Sequence, residues 1–204
     1  MKSTIICIGR QYGSGGREIG LKLAEKLGVV CYDKLIVRKT AEESGLSEKT
    51  VECDDEKPIG FGSMISGNIF ADSAALGQAF YSEEEKVFES ERKTILEIAS
   101  KGPCVMIGRC ASSILRDAGY DVLSVFVYAD TPDRIRRICE RCGLNERAAA
   151  RKARKIDRMR KDHFDFYSET KWGEPESYDL MVSSSCYGID GPVDVIAKAV
   201  TDRM

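Results

Sequence analysis

Short apolar blocks punctuate the chain at 3–8, 29–32, 104–107, 123–129 and 178–182. They are rich in isoleucine and valine and scarcely alternate with polar residues, which suits strands buried on both faces, as in a parallel sheet. Between the first two lies a segment of different period, where Ile19, Leu23 and Leu27 recur every four residues with Gly20 and Ala24 beside them. That pattern predicts a helix over 17–27 lying on a sheet, stopped by Gly28. Residues 3–32 therefore read as one complete βαβ unit.

Further helices are predicted at about 34–44, stopped by Gly45, and in a short stretch from Ser47. Another is predicted over 82–101, with Ser82 as N-cap, three glutamates in its first turn, and Val87, Ile95 and Ile98 among its apolar positions. Asp130-Thr131-Pro132 is a helix start with proline at the first helical position, and 192–203 closes the chain as a last helix. The segment 53–81, with Pro58, several glycines and scattered apolar residues, shows no period and reads as a loop or a packing surface. Strands separated by helices imply an α/β fold: a five-stranded parallel sheet with helices on both faces.

Composition narrows the class only a little. The 204 residues, 43% hydrophobic, suffice for one core with at most a small appended lobe. A net charge of −2 gives no sign of nucleic acid or membrane, and the absence of a long apolar run or leader pattern predicts a cytoplasmic protein. Of eight cysteines, Cys7, Cys31 and Cys104 sit in apolar blocks and read as reduced core residues. Cys139 and Cys142 form a lone CxxC without a second pair, which reads as coincidence on a helix rather than a zinc or redox site.

Two features carry candidate chemistry. Gly9 to Gly16 (Gly-Arg-Gln-Tyr-Gly-Ser-Gly-Gly) joins the first strand to the first helix. Glycines permit close approach and positive φ, and the first amides of a helix favour an anion, so the turn is a phosphate cradle. It lacks the Lys-Ser/Thr ending of a standard Walker A sequence. The second feature is charge: residues 134–161 hold twelve Lys/Arg against three acids, a local net of +9 that leaves −11 for the remainder. Asn145 is a suitable N-cap for a long helix there, on which Arg147, Arg151, Arg154, Arg158 and Lys161 form one stripe while Ala149, Ala153 and Ile156 lie opposite. A solvated face and a phosphate-binding face both fit. Five like charges with no glutamates among them favour the second, and the lack of interleaved aromatic residues disfavours nucleic acid.

Residues 4–39, 104–137 and 150–185 together resemble the cytidylate kinase-like branch of the P-loop nucleoside monophosphate kinases. The resemblance is carried by Arg10-Gln11-Tyr12-Gly13-Ser14-Gly15-Gly16-Arg17-Glu18-Ile19-Gly20, by Tyr32-Asp33-Lys34 and by Gly108-Arg109-Cys110-Ala111. It implies a single kinase-like domain over 1–204, with 34–101 as an acceptor-side helical insertion and 132–168 as an arginine-rich lid. It further implies an enzyme that moves the γ-phosphoryl of ATP, with Mg²⁺, to a nucleoside monophosphate such as CMP or dCMP. In that reading Gly13, Ser14, Gly15, Gly16, Arg17 and Glu18 bind ATP phosphates. Asp33, Lys39, Arg109 and Asp157 hold the acceptor, and Arg151, Arg154 and Arg158 close over the transferring group. No nucleic acid or membrane partner is implied, and 59–81 is a candidate homodimer surface.

The departures from that family's pattern are specific. Aligned without gaps, Gly16 falls on the phosphate-binding lysine, Glu18 on the magnesium-binding Ser/Thr, Cys110 on the aspartate of Gly-Arg-Asp, and Arg10 on the opening glycine. Arg17 is the expected replacement cation, with Arg10 the other candidate, and Glu18 the expected metal ligand through its carboxylate. A nucleotide-binding or regulatory protein without turnover, and a kinase of another small acceptor, are the competing functions.

Overall fold

A computed structural model describes residues 5–33 and 73–203. The predicted helices at 34–44 and from Ser47, the segment 53–72 and Lys39 lie outside the described residues, as does most of the 59–81 surface. Five strands, β1 (Ile5–Arg10), β2 (Val30–Tyr32), β3 (Cys104–Ile107), β4 (Val122–Tyr128) and β5 (Leu180–Ser183), form one sheet in the order β2-β3-β1-β4-β5. All pairings are parallel, with Ile6 opposite Val105 on one side of β1 and opposite Leu123 on the other. The expected architecture is therefore the observed one.

Strand alternation sorts the core. Ile6 and Ile8 of β1, with Val105 and Ile107 of β3, pack toward α1 (Gly16–Leu27) and the C-terminal helix. Ile5 and Cys7, with Cys104 and Met106, pack on the other face with Ile95 and Ile98 of α2 (Ser73–Ser100), α3 (Ala111–Asp117) and Phe164. Both faces of the central strands are thus covered, as the continuous apolar blocks require. On α1, Gly20 is needed for close contact, since a Cβ there would lie 2.8 Å from Ile107 Cδ1 and 3.1 Å from Ile8 Cδ1. Gly28 ends α1 in the left-handed conformation, as expected.

Several boundaries differ from the expectation. Helix α2 begins at Ser73, so Ser82 lies inside it and its three glutamates are not in a first turn. The stretch from Ser73 holds Ala74, Ala75, Leu76, Gln78 and Ala79, good helix formers that carry the helix through Gly77. Tyr178 follows a 3₁₀ turn (Pro175–Ser177) and precedes β5. The serines after β5 are structural: Ser183 Oγ accepts from the Ser185 and Cys186 amides and caps a one-turn helix, α6 (Ser184–Tyr187). The last helix, α7, runs Asp190–Asp202.

Between β4 and β5 stands a helical hairpin, α4 (Thr131–Cys142) and α5 (Glu146–Tyr167). Asn145 caps α5 as predicted, its side chain accepting from the Ala148 amide at 2.9 Å. Ile138, Ala149 and Ala153 seal the hairpin, and Tyr12 of the glycine loop packs against that cluster. The basic segment is therefore seated on the loop. Among the described residues no helix is long and apolar enough to cross a membrane.

Candidate functional site

The glycine loop is held from outside, and that determines what it presents inside. Gly13 and Gly15 have φ of 82° and 81°, and a Cβ on Gly13 would lie 2.8 Å from the Arg134 carbonyl oxygen. Arg134 Nε donates to the Tyr12 carbonyl at 2.8 Å, Arg137 Nη1 to the Gly13 carbonyl at 3.4 Å, and Ser184 Oγ to the Ser14 carbonyl at 2.6 Å. Three consecutive carbonyls are thus drawn outward. In a trans peptide the following N–H points the opposite way, so the Gly13 and Gly15 amides face the cleft with the first amides of α1. Ser14 is fully buried and its Oγ donates to the Gln11 carbonyl at 2.8 Å, so this side chain shapes the loop from beneath.

Asp157 is part of the same scaffold. Its Oδ1 accepts from the Tyr12 amide at 2.7 Å, and its Oδ2 pairs with Arg134. The side chain expected at the acceptor is placed at the loop, tying α5 to it. Tyr12 is ringed by cations: Arg141 Cζ lies 4.9 Å from its ring centre, Arg160 Cζ 5.7 Å and Lys152 Nζ 5.8 Å.

Above the loop opens a cleft of about 730 Å³. Gly13, Gly15, Gly16, Arg17 and Glu18, residues assigned from sequence to ATP phosphates, line it. Arg17 is half exposed and donates from Nε to Asp33 Oδ2 at 2.5 Å, joining two residues assigned to different substrates. Glu18 is exposed, with Lys22 Nζ 3.8 Å away. Among the described residues no three metal-ligating side chains cluster. A single carboxylate there still suits Mg²⁺, which commonly takes one or two carboxylates together with phosphate oxygens.

A second, smaller cavity of about 40 Å³ lies at the carboxyl end of β3, bounded by Gly108, Arg109, Cys110, His163, Trp172 and Tyr178. Arg109 and Cys110 sit there in the left-handed region, with φ of 61° and 51°. Arg109 is buried in an ion pair with Glu91 of α2, both side chains being almost inaccessible. Burial pushes the Tyr178 hydroxyl well above the ordinary tyrosine range.

The stripe of Arg151, Arg154 and Arg158 is exposed, opposite the buried Ala149, Ala153 and Ile156, and borders neither cavity. The cations at the cleft are Arg10, Arg17, Arg137, Arg141 and Arg160. Sequence reasoning passed over Arg137, Arg141 and Arg160, although a signal existed. Arg160 follows Ile156 by four residues and precedes Phe164 by four, on the buried face of α5, where an arginine needs a purpose. Arg141 is exposed but follows Ile138 by three residues and Arg134 by seven, on the same side of α4.

Comparison with known proteins places this arrangement. The model of the cytidylate kinase-like family matches residues 5–186. No curated relative matches. Among solved structures, an uncharacterized protein from Eubacterium ventriosum ATCC 27560 is 28% identical, with a TM-score of 0.70 over 97% of this chain and 98% of that one. TT1252 from Thermus thermophilus is 17% identical, with a TM-score of 0.56 over 100% and 99%. Shikimate kinase from Bacteroides thetaiotaomicron is 14% identical, with a TM-score of 0.56 over 97% and 98%. The architecture is a kinase-like P-loop fold.

Proposed function

The chain belongs to the cytidylate kinase-like family, and from that premise we propose that it transfers the γ-phosphoryl of ATP to a nucleoside monophosphate of the cytidylate class. The observation that carries the reading is the meeting of two cavities: the cleft over the glycine loop and the cavity at the end of β3 share Arg10 and Arg160. A donor phosphate chain on the loop and an acceptor phosphate by β3 would face each other across these two cations. Ligands of parallel α/β folds collect at these strand ends.

In the proposed reaction an acceptor phosphate oxygen forms a bond to the γ-phosphorus. The bond from that phosphorus to ADP breaks, and ADP leaves with the electron pair. The acceptor oxygen is already ionised at neutral pH, so no protein base is required. Catalysis then consists of alignment and charge neutralisation. The amides of Gly13 and Gly15 cradle the donor phosphates, and Arg137 and Arg141 add positive charge along the cleft. Arg17 and Asp33 form the rim between donor and acceptor. Glu18 would hold Mg²⁺, which neutralises phosphate charge when bound. Arg109, fixed by Glu91, shapes the acceptor cavity. An acceptor role for Lys39 rests on the resemblance alone. Arg151, Arg154 and Arg158 would serve only if the hairpin turned them inward.

The test is a coupled assay with ATP, Mg²⁺ and a panel of nucleoside monophosphates, run beside thermal melts with each nucleotide. Turnover with CMP or dCMP preferred over AMP, GMP and UMP supports the proposal. Stabilisation by ATP without turnover on any acceptor would instead identify a nucleotide-binding protein.

A further inference from the structure

Position 16 opens α1, where a P-loop helix would carry its lysine, and here it is glycine. The space a side chain would need is already taken. A Cβ on Gly16 would lie 2.6 Å from Arg10 Cβ, 3.2 Å from Arg10 Cγ and 3.3 Å from Val127 Cβ. The far end of the same arginine rests over a second glycine, for a Cβ on Gly108 would collide with Arg10 Nη1 and lie 2.9 Å from its Cζ. Arg10 therefore lies in a trough with a glycine at each end. Its stem crosses the start of α1 and its guanidinium reaches the carboxyl end of β3. Arg160 Nη1 donates to the Arg10 carbonyl at 3.2 Å and braces the backbone there.

The guanidinium is half-buried and, among the described residues, makes no hydrogen bond or ion pair. A partly desolvated cation without a counter-ion is costly and is satisfied by an arriving anion. Arg17, the replacement expected from sequence, is by contrast half exposed and already paired with Asp33.

We propose that Arg10 performs the task of the missing loop lysine: it is the cation that accompanies the terminal phosphoryl of a nucleoside triphosphate from the donor cleft to the acceptor cavity. The inference rests on the phosphotransfer reading above. A lysine on the first helical residue and an arginine on the strand residue before the loop are alternative sources of one charge, and both cannot fit. As the acceptor-oxygen bond to the γ-phosphorus forms and the bond to ADP breaks, the planar fork can hold a γ-oxygen and a β-oxygen at once.

The experiment measures ATP and tripolyphosphate affinity by calorimetry, and turnover with CMP, for the wild-type chain and for R10A, R10G, R10K, R17A, G16K and the double variant R10G/G16K. Melting curves check folding. R10A is expected to weaken tripolyphosphate binding at least ~10-fold and to cut turnover ~100-fold. R10K should recover part of both, and R17A should weaken tripolyphosphate binding less than R10A does. G16K alone should lose binding or stability through the clash with Arg10. R10G/G16K should regain affinity relative to R10G, because the lysine then has the vacated trough. Binding unchanged in R10A, equal losses in R10A and R17A, or a double variant no better than R10G would each overturn the proposal for Arg10. Absence of ATP and tripolyphosphate binding by the wild-type chain would overturn the phosphotransfer reading itself, and this inference with it.

Discussion

Arg17 Nε donates to Asp33 Oδ2 at 2.5 Å, joining the first turn of α1 to the end of β2. The pair lies at the rim of the cleft over the glycine loop, so a residue read from sequence as an ATP contact and one read as an acceptor contact belong to one unit. An ion pair this exposed adds at most about 1 kcal/mol to stability. R17A and D33A should therefore melt close to the wild-type chain. Their effects on acceptor KM should be non-additive, with the double variant about as impaired as the worse single one. Additive losses would show that the two act on separate substrates.

The Arg109–Glu91 pair is of the opposite kind, buried between β3 and α2. Breaking a buried ion pair by removing one partner costs about 3–5 kcal/mol. Chemical denaturation of E91A should show a loss of that size, and R109M/E91L should recover much of it. In the coupled assay R109A should raise acceptor KM far more than ATP KM. Equal effects on both substrates would remove Arg109 from the acceptor side.

What the sequence made legible is what repeats along a chain. Ile5 to Ile8, Cys104 to Ile107 and Leu123 to Val127 announced buried strands because both faces are apolar. The glycine loop announced itself because Gly13 and Gly15 occupy backbone conformations that other residues rarely adopt. The exposed stripe on α5 was legible as geometry, and Ala149, Ala153 and Ile156 are buried as expected. Which side of that helix meets the loop was not, because the answer depends on the Asp157 contact with the Tyr12 amide, 145 residues away. Arg10 was a candidate cation from sequence, but its packing against Gly16 was hidden for the same reason. A missing lysine is visible in sequence, but the arginine stem in its place is visible only in three dimensions.

Asp157 offers a direct test of that long-range contact. It accepts from the Tyr12 amide and pairs with Arg134, which in turn holds the Tyr12 carbonyl. D157A should lower stability by about 2 kcal/mol, since it unpairs a charged partner as well as a backbone amide. It should also raise ATP KM several-fold while leaving acceptor KM nearly unchanged, because the loop and not the β3 cavity loses its anchor. The reverse split in KM would return Asp157 to the acceptor.

The cysteines should differ sharply in reactivity. Burial pushes the Cys31 and Cys104 thiols up to about 11, and Cys7 higher still. At Cys142 partial burial acts in the same direction. It is outweighed by Arg141 and Tyr12, which hydrogen-bond the sulfur, and by Lys152, 3.8 Å from it, so the thiol is held below its ordinary value. A lowered value means that thiolate is present at lower pH. Iodoacetamide labelling followed by peptide mapping should therefore modify Cys142 first, with a rate that rises at a lower pH than for a free thiol. Cys7, Cys31 and Cys104 should stay unlabelled until the chain unfolds. Labelling of Cys142 no faster than theirs would mean that the surrounding cations do not act on it.

The two arginine sets of the hairpin make the last prediction. Arg141 lines the cleft and stacks on Tyr12, whereas Arg154 faces solvent on the opposite side of α5 from the loop. A cation aimed at phosphate is worth far more than one screened by water, because the field of an exposed charge falls away within about a Debye length of roughly 8 Å. R141A should cut turnover at least ~10-fold and weaken ATP binding, while R154E, a larger change in charge, should alter turnover by less than about 2-fold. Both variants should keep the wild-type melting profile to within a few degrees, because neither residue belongs to the buried core. If R154E matched the loss in R141A with its fold intact, the hairpin would have to turn during the reaction and bring the outer stripe over the phosphates.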